Sequence, residues 1–353
     1  MPKIAAIIAF FALPWIACGF DLVSKGDHYY SNSNRDLFLL PASAALAGSD
    51  VVFSRDATPF ANPGSVARLS NSANEASLAY AGFFGNSFSS SLASYTLRLD
   101  KAEGIGISFN YLFVPDIPDY SGFDVDDAGI PVYDPARIRT GSASDLFFRF
   151  VYGHAFEWQA AGIEAGLGGA CNAQRRNLLG WTAYGVGVDG GGYVFFKRSG
   201  IGVSLSCENL TTNYLRWSSS YQDAAYPHLR MGLGWQKEIT YLYGRIQITA
   251  QTLDLLGNEG ANAAETGSDL SDSLTQPVWV RASSKPEELL TKGRLGLEYT
   301  VYKRVTLRIG TSPQNYFTFG AGMLLFNQAC AIDFAYLLHE LAGTYQVGVS
   351  YRW

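Results

Sequence analysis

The sequence predicts an all-β protein, a transmembrane antiparallel β-barrel of about 14 strands preceded by an N-terminal plug. Three observations lead to this prediction. Apolar and polar residues alternate in segments of about ten residues, the length that a tilted strand needs to cross a bilayer. The long connections follow only odd-numbered segments. The chain ends inside an alternating segment, on Trp353.

The alternation gives each predicted strand two faces. Leu295, Leu297 and Tyr299 alternate with more polar or smaller neighbours, among them Arg294 and Glu298. Successive strand residues point to opposite faces, so one face is apolar and the other is polar. In a soluble sandwich the apolar faces would meet in a core, whereas in a membrane barrel they contact lipid and the charges lie inside. The predicted strands are 75–84, 87–98, 102–113, 143–154, 158–170, 181–195, 199–208, 226–237, 240–253, 293–302, 304–311, 315–325, 329–338 and 344–353.

Connection lengths favour the membrane barrel. The long connections 114–142, 209–225 and 254–292 follow the third, seventh and ninth predicted strands. The short connections after even-numbered strands are Asp100-Lys101, Phe156-Glu157, Arg198, Lys237 to Ile239, Lys303 and Asn327-Gln328. Outer-membrane barrels have short periplasmic turns and long external loops, and a soluble sandwich has no reason to keep this parity.

The N-terminus predicts export. Met-Pro-Lys precedes an apolar run from Ile4 to Ile16, which is too short to span a bilayer as a helix and is typical of a signal peptide. Small residues favour cleavage after Gly19, so that 1–19 is the signal peptide; in the alternative, Cys18 is a lipoprotein anchor. Residues 20–74 lack sustained alternation and form the predicted plug, and 75–353 form the predicted barrel. The expected location is the outer membrane of a diderm bacterium.

The sequence offers little support for nucleic-acid binding, catalysis or metal binding. The net charge of −5 gives no support to nucleic-acid binding. The histidines are not paired at ligand or catalytic spacing, and no G-x-S-x-G motif occurs. Gly185 to Gly190 fits G-x-G-x-x-G, but inside a strand with no following helix. Cys171, Cys207 and Cys330 are odd in number and far apart, which argues against a metal site or a disulfide framework. We therefore expect no enzyme, no metal and no cofactor.

Two stretches carry a resemblance to a known superfamily. The triplet Asn62-Pro63-Gly64 resembles the Asn-Pro-Ala signature of the FadL-like transporters of long-chain fatty acids and other hydrophobic compounds, with Gly64 in place of the alanine. The C-terminal stretch is similar to the PorV/PorQ branch, in Arg308-Ile309-Gly310, 319–322, 332–336 and 351–353.

The resemblance implies a fourteen-stranded barrel with an N-terminal hatch. It also implies passive uptake of hydrophobic small molecules such as fatty acids, which the family's fatty-acid members pass through the barrel wall. The PorV-like alternative is an outer-membrane scaffold for protein secretion or surface attachment, with a secreted protein as partner. The aromatic terminal strand resembles the signal that barrel-assembly machinery recognises, and membrane lipid is the other expected partner.

Alternation also predicts which side chains line the lumen and the mouth. The lumen-facing charges are Arg149, Glu164, Asp189, Arg230, Arg245, Arg294, Glu298, Arg308, Asp333 and Arg352. They either pair with one another or with the plug, because unpaired buried charges are costly, or include a surplus arginine that holds a substrate carboxylate. The apolar residues expected at an external mouth are Tyr120, Phe123, Leu255, Leu256 and Trp279; the alternative for these is simple loop packing.

Overall fold

The computed structural model describes most of the barrel and part of the chain that precedes it. The described residues are 37, 39–53, 62–68, 74–120, 134, 137–219, 222–225, 227–252, 254–256, 293–313, 317–339 and 341–353. The predicted signal peptide 1–19 and its alternative at Cys18 lie outside the described residues.

The described chain is mostly β-strand. A short helix, α1 (Pro41–Ala45), and two 3₁₀ turns, Asp50–Val52 and Pro63–Arg68, precede the sheet. The strands are β1 (Asn74–Phe83), β2 (Phe88–Arg98), β3 (Glu103–Asp119), β4 (Arg139–Trp158), β5 (Ile163–Leu178), β6 (Trp181–Phe196), β7 (Ile201–Glu208), β8 (Asn213–Trp217), β9 (Gln222–Ala225), β10 (His228–Ile239), β11 (Gly244–Gln251), β12 (Arg294–Val301), β13 (Val305–Thr311), β14 (Phe317–Leu325), β15 (Cys330–Leu338) and β16 (Thr344–Arg352). No helix among these residues has the length and hydropathy to span a bilayer.

Fourteen of these strands form a closed antiparallel barrel, which confirms the predicted fold class. Strands β1 to β7 and β10 to β16 pair in chain order, and β16 returns to pair with β1. Trp353 extends the closing ladder by donating its backbone N–H to the carbonyl of Asn74 at 3.2 Å. The remaining two strands, β8 and β9, form a hairpin that pairs with the loop-side part of β6, while β7 pairs with its other part.

The two faces of the barrel differ as the alternation predicts. On β12, Leu295 and Leu297 are 42% and 38% exposed, whereas Arg294 and Glu298 are each 4% exposed. Because the barrel is closed, the exposed apolar face is its outside and the buried polar face lines its lumen. Closure gives each of the fourteen barrel strands a hydrogen-bonded neighbour on both sides, so this apolar surface can lie in hydrocarbon. The protein is therefore located in an outer membrane.

The barrel has two distinct ends. The short-turn end carries the turns 99–102, 159–162, 197–200, 240–243, 302–304 and 326–329, together with the start of β1 and the end of β16. The long-loop end carries the long connections after β3, β7 and β11. This is the arrangement of an outer-membrane barrel whose long loops face the exterior.

Two predicted turn positions are wrong. Phe156-Glu157 lies within β4, and the turn is at 159–162, so the predicted strand 158–170 is in fact β5, 163–178. Lys237 to Ile239 lies within β10, and the turn follows at 240–243. Glu157 is charged, but a partner on the neighbouring turn lets it remain within the strand. In the barrel it lies beside Lys197, at 2.7 Å, and the ladder continues past it.

Residues 39–53 and 62–68, here called the inner segment, pack against strands on all sides of the barrel. Helix α1 contacts β13 to β16, the turn at Asp50–Val52 contacts β7, β10 and β11, and the turn at Pro63–Arg68 contacts β3 to β6. Contacts with such different strands require that the inner segment crosses the lumen. Its described residues are nearly all buried.

Candidate functional site

The Asn62-Pro63-Gly64 corner sits against β5 and β6, in the half of the barrel nearer the short-turn end. Asn62 is fully buried, its Nδ2 donates to the carbonyl of Gly192 at 3.0 Å, and its Oδ1 accepts the N–H of Gly64 at 3.0 Å. A Cβ on Gly191 would lie 2.3 Å from Asn62 Oδ1. Glycine on the inner face therefore makes the room in which this corner packs.

Arg68 anchors the end of the inner segment. Its Nη1 donates to the carbonyl of Val52 at 2.5 Å, and its Nε lies 3.3 Å from a carboxylate oxygen of Glu164. The guanidinium also lies over the rings of Tyr193 and Phe195, at 4.7 and 5.0 Å from their centroids. The Arg68 guanidinium therefore links two parts of the inner segment through the Val52 carbonyl. It also links the segment to the barrel wall through Glu164 and the two aromatic rings. We did not predict Arg68; the available signal was a lone basic residue at the end of the small and apolar stretch 63–67.

The predicted lumen charges form ion pairs. Five of the predicted arginines lie within 4 Å of a carboxylate. The pairs are Arg149–Asp189 at 3.0 Å, Arg230–Glu208 at 3.0 Å, Arg245–Glu298 at 3.8 Å, Arg308–Glu298 at 2.9 Å, Arg308–Asp333 at 2.5 Å and Arg352–Glu75 at 2.8 Å. Arg294 is 4% exposed and faces the inner segment near Gly48. The pairs are those of a structural network, in which Arg149, Arg230, Arg308 and Arg352 hold protein carboxylates at hydrogen-bond distance and Arg245 lies farther away.

The sequence did not identify some members of this ion-pair network. Arg176 forms a two-point pair with Asp145, at 2.7 and 2.9 Å, and neither was in the predicted set. Glu75 and Glu208 were also missed. The alternation of apolar and polar residues also indicates that these side chains face the lumen. Several charged residues share this pattern, however, and only the strand register decides which of them form pairs.

A polar cavity of about 1260 Å³, here called the vestibule, opens at the short-turn end. Asp50 and Arg68 of the inner segment border it, and the wall adds charged side chains such as Arg245 and Glu238 together with apolar ones such as Phe156 and Met323. Lys197, in a turn at the rim, lies 2.7 Å from Glu157 and 3.3 Å from Glu164. Its hydrogen bond to Glu157 raises the pKa of the Lys197 ammonium.

The opposite half of the lumen carries an apolar cluster. Leu112 and Phe147 are buried there, and Leu37 and Phe88 pack against them. The Phe88 ring also stacks on Phe83, with centroids 4.7 Å apart. This apolar cluster, formed by Leu37, Phe83, Phe88, Leu112 and Phe147, lies on the inner face of β1 to β4 toward the long-loop end.

An apolar groove of about 560 Å³ lies on the outer face of β1 to β4 and of the adjacent strands β15 and β16. Its floor includes the small residues Ser91 and Ala93 of β2, and larger side chains flank it, among them Tyr80, Phe109 and Leu146. Beyond the groove, β3 and β4 lose register between Val114 and Ile117, a bulge that includes Pro115. Proline has no N–H to give to the ladder, so it occurs in sheets at such irregular positions.

The predicted mouth residues are only partly described. Tyr120 is 53% exposed just beyond β3, and Leu255 and Leu256 are half-buried after β11. Strands β3 and β11 lie on opposite sides of the barrel, so the structure does not bring these residues together through their strands. Phe123 and Trp279 lie outside the described residues.

Within the described part of the chain, no three His, Cys, Asp or Glu side chains are grouped so that they could hold a metal ion. Cys171, Cys207 and Cys330 are not joined to one another by disulfide bonds. Gly185 and Gly187 face inward, where a Cβ would lie 2.5 Å from Leu215 and 3.2 Å from Asn213 of β8. These glycines make room for the hairpin.

A closed barrel with an apolar exterior, a charged interior and a segment across its lumen defines this protein as an outer-membrane β-barrel. Among solved structures, it is similar to the Ralstonia pickettii toluene transporter TbuX, with a TM-score of 0.50 and 11% identity over 89% of this chain and 98% of that one. It is also similar to the deltaS2 mutant of the TodX monoaromatic hydrocarbon channel, with a TM-score of 0.50 and 11% identity over 91% and 99%. These similarities establish a shared fold. No family model and no curated protein matches the sequence.

Proposed function

We propose that this protein lets hydrophobic compounds cross the outer membrane passively. One observation carries the proposal: an apolar cluster lines the inner face of β1 to β4, and an apolar groove lies on the outer face of the same strands. A hydrophobic compound that enters from the long-loop end would meet the apolar cluster first. The inner segment would act as the predicted plug between this cluster and the charged vestibule.

The vestibule makes a straight passage unfavourable for such a compound. Moving one methylene from an apolar site into water costs about 0.8 kcal/mol, so an alkyl chain of about twelve methylenes would lose roughly 10 kcal/mol. Leaving sideways through the wall into lipid avoids this cost. The small outward residues Ser91 and Ala93 of β2 make the wall thin at the groove, which favours an exit there.

The pairing of the lumen arginines bears on whether the transported compound is charged or neutral. The resemblance implies long-chain fatty acids, and the two structures of shared fold are described as a toluene transporter and a monoaromatic hydrocarbon channel. Four of the predicted lumen arginines already hold protein carboxylates at hydrogen-bond distance, which leaves these groups unsuited to a substrate carboxylate. We therefore favour neutral hydrophobic compounds and keep fatty acids as the second ligand to test.

The test is uptake into liposomes that contain the purified protein, with toluene and oleate as separate probes. The wild-type protein is expected to exceed empty liposomes for toluene, and Ala93→Trp, which fills the groove, is expected to slow uptake several-fold. Ala173→Trp is the matched control, because Ala173 also faces outward but lies on β5, away from the groove.

The proposal fails if neither probe enters faster than through empty liposomes, both for the intact protein and for a variant lacking residues 20–64. Equal slowing by the two tryptophan variants would reject the groove as the exit. The scaffold alternative predicts a different result, in which a large secreted protein copurifies through the long loops and no uptake is seen.

A further inference from the structure

Two arginines and a tyrosine form a row on the outer surface of the barrel. Arg175 of β5 lies directly opposite Tyr184 of β6, and Tyr184 lies directly opposite Arg216 of β8. All three side chains are exposed. Neighbouring strands are about 4.8 Å apart, so the two arginines stand about 10 Å apart with the tyrosine between them. We call this set the arginine–tyrosine row.

The row stands at the border of the lipid-facing surface. On its short-turn side the outward residues are apolar or small, including Ala173 and Cys171 on β5 and Val186, which is 72% exposed, on β6. On its long-loop side the next outward pair is the polar Asn177 and Thr182. Arginine and tyrosine side chains at such a border reach the headgroups while their apolar parts remain against lipid.

These two cations differ from the cations that face the lumen. Arg176, the next residue on β5, turns inward and makes a two-point pair with Asp145. Arg175 and Arg216 form no ion pair with any residue that the structure describes, and Leu146 and Tyr184 are the register neighbours of Arg175. Inward arginines such as Arg149 and Arg176 are thus paired with carboxylates, whereas Arg175 and Arg216 are presented toward the membrane surface.

We propose that the arginine–tyrosine row binds the phosphate of a phosphorylated glycolipid in the outer leaflet. Guanidinium groups form two-point hydrogen bonds with phosphate oxygens, and the Tyr184 hydroxyl between them can donate a third. The acyl chains of the same lipid would lie along Ala173 and Val186, directly below the row. Charge and position both select a lipid at this site, because a free phosphate would gain nothing from the apolar surface. The proposal is independent of what the barrel transports.

The test is native mass spectrometry of the detergent-purified protein titrated with diphosphoryl lipid A. The double variant Arg175→Gln/Arg216→Gln is expected to bind it roughly 20- to 30-fold more weakly, since each basic residue near a membrane surface contributes about fivefold. Lys237→Gln is the matched control, because Lys237 is an exposed outward cation at the short-turn end, and it should bind like the wild type. The double variant Arg175→Lys/Arg216→Lys keeps the charge and should recover part of the affinity.

Heat-dependent electrophoretic mobility confirms that each variant is folded. Binding by the glutamine double variant within twofold of the wild type would overturn the proposal. So would equal wild-type affinity for phosphatidylethanolamine and diphosphoryl lipid A, since the first is zwitterionic and the row should select the phosphorylated glycolipid. Affinity for inorganic phosphate equal to that for lipid A would show a simple anion site and would also overturn the proposal.

Discussion

At the scale of single residues, two adjacent glycines on β5 show how closely the inner segment fits the wall. A Cβ on the inward Gly168 would lie 2.4 Å from the carbonyl oxygen of Pro63 and 2.8 Å from the N of Gly64. These are backbone atoms, so no side chain can move aside. A Cβ on the outward Gly169 would meet only the carbonyl oxygen of Asp189, at 3.7 Å.

We predict that Gly168→Ala destabilises the protein and that Gly169→Ala does not. Overpacking typically costs about 1–3 kcal/mol, and here the cost arises from pushing the Asn62-Pro63-Gly64 corner off the wall. Thermal unfolding in detergent and hydrogen exchange at residues 62–68 would measure it, with Gly169→Ala as the control. Equal behaviour of the two variants would mean that the corner does not pack on β5 as described.

At the scale of elements, several polar contacts add to the packing of the inner segment against the barrel. Thr318 donates to the carbonyl of Ala45 at 2.8 Å, Ser49 and Thr249 share a hydrogen bond of 2.7 Å, and Ser43 is bonded to Asp50 within the segment. Arg68 adds a charged contact with Glu164 of β5 and with the aromatic rings of β6. No other described residue of the inner segment makes a charged contact with these two strands. Its loss should loosen one end of the segment and leave the barrel closed.

We expect Arg68→Met to increase local opening of residues 62–68. Methionine keeps apolar contact with the rings but loses the cation, which contributes about 2 kcal/mol at a desolvated site, so amide exchange there should be about 30-fold faster. Lys303→Gln is the control, because Lys303 borders the same vestibule from an exposed turn. Unchanged exchange in Arg68→Met, or equal acceleration in both variants, would show that Arg68 is not an anchor.

At the scale of the whole molecule, barrel closure decides what each face contacts. Leu297, near the middle of β12, is 38% exposed on the outside, and Tyr302, in a turn at the short-turn end, is 66% exposed. In water, either position would accept a charge at little cost. In a bilayer, the cost of a charge depends on depth, because only the middle of the barrel contacts hydrocarbon.

We therefore predict that Leu297→Arg lowers the free energy of unfolding in lipid vesicles by about 2–4 kcal/mol, and that Tyr302→Arg lowers it by at most about 1 kcal/mol. Reversible denaturant unfolding in vesicles measures both variants. Similar values for the two would place Leu297 outside the hydrocarbon region and would contradict the orientation described here.

The sequence by itself determined the fold class, the approximate positions of the fourteen barrel strands and their division into an apolar and a polar face, because the side-chain period of two is a local property. It placed Arg149, Asp189 and Arg308 on the same face as the other lumen charges. Only the tertiary structure decided that Arg149 meets Asp189, that Arg68 meets Glu164, and that the groove and the apolar cluster share β1 to β4. These contacts join residues far apart in the chain, and they depend on strand register and on closure, which no local pattern specifies.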